Sequence, residues 1–72
     1  MILEEAKKVK VGDKVVARIG ALSLPVECEV INIIPGIERI KFDLDYQSEN
    51  GKWKHVKRTH MRCWRMERKK ND

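Results

Sequence analysis

From Ile40 to Tyr46 every second residue is apolar, with Ile40, Phe42, Leu44 and Tyr46 alternating with Lys41, Asp43 and Asp45. A period of two marks a strand with one face in a core and one in water. Asn50-Gly51 follows, a dipeptide that tolerates the positive φ angles of a two-residue hairpin turn. Residues 39–58 therefore read as a β-hairpin. With Asn50 and Gly51 as the central turn residues, Glu49 lies opposite Lys52 and Tyr46 opposite His55. That register puts Trp53 and His55 on the apolar face, and Lys54 and Arg58 on the wet face with Lys41. Trp53 is then expected to be core, and Trp53→Ala to cost about 3 to 5 kcal/mol.

Elsewhere the pattern predicts short elements. Residues 2–8 carry helix formers with acids early and lysines late, enough for one or two turns of helix. Gly12-Asp13 reads as a turn and residues 14–19 as a β-branched first strand ending at Gly20. Residues 21–25 form a loop closing in a proline, which marks the edge of the next strand. That strand, residues 26–34, sends Cys28 and Val30 inward and Glu27 and Glu29 outward. It then turns apolar on both faces at Ile31, Ile33 and Ile34, as a bulge or a second packed surface would require. Pro35-Gly36 is a turn, Thr59 and His60 are a break, and residues 61–66 are a last strand. Alternation leaves Trp64 undecided between closing the core and facing a ligand. Domain bounds follow: an N-terminal helical turn over residues 1–9, a β domain over 10–66 and a basic tail over 67–72. Five short strands with tight connections fit an antiparallel barrel, which reduces the exposed edges of an open sheet.

Three stretches resemble the SH3-like barrels of the KOW and Tudor type: Gly12-Asp13-Lys14-Val15-Val16-Ala17-Arg18-Ile19-Gly20, then Cys28-Glu29-Val30-Ile31-Asn32-Ile33, then Ile40-Lys41-Phe42. The passage from His55-Val56 to Thr59-His60-Met61 is similar to the fourth strand, 3₁₀ turn and fifth strand of that class. The resemblance covers roughly residues 10–66. It implies an all-β, five-stranded SH3-like antiparallel barrel. Tudor-type barrels read methylated side chains with an aromatic cage. Here the first loop, residues 21–25, has no aromatic, so methyl-mark reading is not expected.

Composition narrows the function. A chain of 72 residues makes one small domain with a thin core. No apolar run approaches the roughly 20 residues of a bilayer helix, and the start lacks the pattern of a secretory signal, so the expected location is cytoplasmic and no membrane partner is expected. Cys28 and Cys63 are far apart and read as two small hydrophobes. Together with His55 and His60 they make a zinc set by residue type. The absence of close ligand pairs argues against a metal, and no cofactor is expected. Asp43 and Asp45, with Lys41, Lys54 and Arg58 around them, read as surface ion pairs, and no catalytic constellation is present.

Charge points to the ligand. After residue 51 there are nine Lys or Arg and two acids, a balance of +7, against −2 for residues 1–51. Such an asymmetric field attracts polyanions. The expected function is non-catalytic binding of DNA or RNA through Lys41, Lys52, Lys54, Arg58, Arg62 and Arg65, with Trp64 offering a plane for a base. Sequence readout is expected to be low, for lack of a recognition helix. The alternative is a protein-interaction module of the same fold, docking an acidic partner or pairing as a weak homodimer through Ile31, Ile33 and Ile34.

Overall fold

The computed structural model describes residues 1–65. It contains a short helix α1 (Leu3–Ala6), strands β1 (Lys14–Ile19), β2 (Leu24–Ile34), β3 (Lys41–Gln47) and β4 (Trp53–Thr59), a 3₁₀ turn (His60–Arg62), and β5 (Cys63–Arg65). All strands join one antiparallel sheet in the order β4-β3-β2-β1-β5. Met66 and the basic tail over 67–72 lie outside the described residues.

Connectivity dictates the shape of the sheet. Strands β4 and β5 are the two edges, yet only the three-residue 3₁₀ turn joins them. In a flat sheet four inter-strand gaps would separate the edges by about 19 Å. A 3₁₀ turn of this length advances roughly 8 Å. The sheet must therefore curl until its edges approach, although among the described residues no ladder between β4 and β5 closes it. The curl has a source in β2, whose residues 24–29 pair with β1 and whose residues 29–34 pair with β3. Between Val30 and Asn32 the register shifts, leaving Ile31 as the extra residue of a bulge, which bends and twists a strand. The double-apolar switch at Ile31 thus has the physical cause expected of it.

Val15 and Ala17 of β1, Cys28 and Val30 of β2, Phe42 and Leu44 of β3, and Cys63 of β5 line the inside of the curl. Ala6 and Val9 of the N-terminal segment pack onto them. Ile40 and His60 complete the core where the edges meet: the His60 backbone N–H donates to the Ile40 carbonyl at 2.7 Å. The Ile40 N–H in turn donates to His60 Nδ1 at 3.2 Å. Gly36 is required in the β2–β3 connection because a Cβ there would collide with the Arg39 carbonyl.

The hairpin corrects the expected register. Ser48 N–H donates to the Lys52 carbonyl at 2.8 Å and Gly51 N–H to the Ser48 carbonyl at 2.9 Å. The loop thus holds three residues, 49–51, with Gly51 at φ +85°. This is a tight turn followed by a left-handed residue, the common three-residue solution. One more loop residue shifts the partner arm by one and turns every side chain over. Asp45 pairs with His55, Gln47 with Trp53 and Tyr46 with Lys54. Trp53 is therefore 64% exposed and not core. Lys54 and Arg58 do not share the face of Lys41: Lys54, Val56 and Arg58 pair with Tyr46, Leu44 and Phe42.

Candidate nucleic-acid interface

Where the curled edges meet, a cleft of about 560 Å³ opens between the end of β1, the β1–β2 loop, β4, the 3₁₀ turn and β5. Four cations line it, Arg18, Lys57, Arg58 and Arg62, together with Trp64 and the hydroxyl residues Ser23 and Thr59. Among the described residues, no carboxylate lines it. Lys57 has a distant partner, with Nζ 3.9 Å from Asp43 Oδ1. The three arginines form no ion pair among the described residues.

Backbone carbonyls orient two of the guanidinium groups. Arg18 Nη1 donates to the Ser23 carbonyl at 2.9 Å, and its Cζ lies 5.4 Å from the centre of the Trp64 ring. Arg58 Nη1 donates to the Lys57 carbonyl at 2.9 Å, and Nη2 reaches the Arg18 carbonyl at 3.5 Å. A guanidinium carries five N–H donors, so each group keeps several free, and a neutral carbonyl positions the charge without cancelling it. The cleft can therefore offer bidentate contacts to phosphate oxygens. Trp64 stands beside these charges because strand alternation sends its neighbour Cys63 into the core and its own ring out on the Val16 side, 43% exposed.

Of the residues expected from sequence, Arg58, Arg62 and Trp64 come together here. Lys41, opposite Thr59, borders a smaller hollow of about 130 Å³ shared with Lys57, Arg58 and Thr59, and so extends the same positive surface. Lys52 and Lys54 lie at the other end of the hairpin, and Arg65 sits further along β5 opposite Val15. None of these three lines the cleft. Arg18 and Lys57 are additions. Lys57 was hidden by the one-residue register difference. Arg18 lies in the acidic two-thirds of the chain, where only the curl of the sheet brings it to β4.

A second, separate cleft of about 310 Å³ has the opposite character, lined by Glu27, Glu29, Asp45, Lys14, Tyr46 and Trp53, among others. Here Lys14 Nζ lies 3.6 Å from Glu27 Oε2 and His55 Nδ1 lies 3.1 Å from Asp45 Oδ1. Among the described residues no group of three or more His, Cys, Asp or Glu side chains is placed to hold a metal ion. Cys28 and Cys63 are free and buried, His60 accepts from Ile40, and His55 faces Asp45. Among the described residues no helix is long and apolar enough to cross a membrane. Ile31 and Ile34 are partly exposed and Ile33 packs against the core. No family model matches this chain, and no curated protein or solved structure matches it significantly.

Proposed function

We propose that this protein is a small barrel of the SH3-like kind that binds nucleic acid without catalysis, using the cationic cleft between its sheet edges. The observation that carries the reading is the convergence of Arg18, Arg58 and Arg62 on one concave surface that, among the described residues, has no acidic lining residue. The bulged second strand and the 3₁₀ link between the edge strands support the barrel. Phosphate neutralisation supplies affinity, and the scarcity of amide side chains around the cleft keeps sequence preference low.

Titration against DNA and RNA at about 50 and 200 mM salt tests the proposal. With about four phosphates neutralised, log K should fall against log salt with a slope of about −3 to −4. Absence of binding to every nucleic acid at about 50 mM salt would overturn it. An acidic protein segment would then be the remaining polyanion for the cleft.

A further inference from the structure

Contacts to phosphate alone have no use for an exposed indole. Trp64 is not needed to close the core, because its neighbour Cys63 fills that position from the same short strand and is fully buried. The Trp64 ring instead lies in the wall of the cationic cleft with the Arg18 guanidinium over it. Arg18 is tied to the Ser23 carbonyl, so the stacked pair is assembled before any ligand arrives. Aromatic rings and guanidinium planes are the two surfaces on which unpaired bases stack. A duplex can bring its phosphates to these arginines, but its base faces are occupied by neighbouring base pairs.

We propose that the cleft takes an unpaired nucleotide of a single-stranded nucleic acid, its base extending the Trp64–Arg18 stack and its phosphate held by Arg58 and Arg62. The inference rests on the nucleic-acid reading of the cleft and narrows it to unpaired strands. The volume of about 560 Å³ lies within the range of clefts that enclose a small molecule, the scale of one nucleotide. Base identity is read weakly, since among the described residues no amide or carboxylate side chain lines the cleft to pair with adenine or cytosine edges.

The experiment uses a Trp53→Phe variant, which leaves Trp64 as the only tryptophan of the two in the chain. The probes are oligodeoxythymidine and oligouridine of about 15 nucleotides and a mixed-sequence DNA duplex of equal length, long enough for one small binding domain. Both single strands should change the Trp64 emission on binding, and the duplex should bind more weakly without changing it. Trp64→Leu should weaken single-strand binding about ten- to hundred-fold and duplex binding by much less. If the duplex binds as tightly as the single strands, or the single strands bind without altering the emission, the inference fails and the cationic-cleft reading stands. If no probe binds at about 50 mM salt, the cleft reading itself fails, and this inference with it. The emission arm does not depend on the Trp64→Leu variant folding.

Discussion

Cys63 has no exposed surface and pairs across the ladder with Ala17, itself fully buried. Burial, and after it the neighbouring Cys28, pushes its thiol up from 9.0 to about 11, while burial also raises Cys28. Both are therefore neutral thiols at physiological pH, the small hydrophobes expected from their spacing in sequence. The folded state holds the Cys63 proton more tightly than the unfolded chain does. Its contribution to stability is thus full below about pH 9 and is lost as pH rises toward 11, a change of about 2 to 3 kcal/mol. Denaturant melts across that range should show the decline, and Cys63→Ala should remove most of it. Equal declines in parent and variant would show that other groups cause the loss. His60 teaches the opposite lesson about legibility. Its place at a break in the strand pattern was readable, but its burial was not, because the partner that satisfies its ring nitrogen, Ile40, lies 20 residues away.

At the scale of elements, the strands were legible wherever their two faces differ in polarity. The first strand, the alternation of β3 and the inward Cys28 and Val30 all follow from period-two patterning, which a packed core enforces. The second arm of the hairpin, Trp53 to Thr59, has no such contrast, since apolar and basic residues occupy both sets of alternate positions. Its facing was left to the turn, and Asn-Gly serves a two-residue loop as well as the last two positions of a three-residue one. The difference is measurable at Trp53. An exposed Trp53 predicts that Trp53→Ala costs about 1 kcal/mol or less, whereas Phe42→Ala, fully buried on the same hairpin, costs about 3 to 5. Chemical denaturation of the two variants checks this. Comparable large losses would restore the two-residue turn and put Trp53 back in the core.

For the whole molecule, charge balance along the chain and charge placement in space are different quantities. The +7 after residue 51 suggested a basic hairpin and last strand, but the curled sheet divides the described cations of that stretch among separate regions. Arg58 and Arg62 go to the cleft between the edges, where Arg18 joins them from the acidic part of the chain. Lys52 and Lys54 go to the hairpin's far end, near the cleft that holds Glu27, Glu29 and Asp45. By charge, a polyanion would be drawn to the first region more strongly than to the second, where acids offset the lysines. Single substitutions separate this arrangement from a diffuse basic surface. Arg18→Ala and Arg62→Ala should each reduce the salt slope of nucleic-acid binding by about one, with affinity falling for all sequences alike. Lys52→Ala and Lys54→Ala, at positions that do not line the cleft, should leave the slope nearly unchanged. Circular dichroism of each variant confirms that the sheet is intact. If the two lysine changes lower the slope as much as the two arginine changes, the nucleic acid lies along the hairpin and not across the joined edges of the sheet.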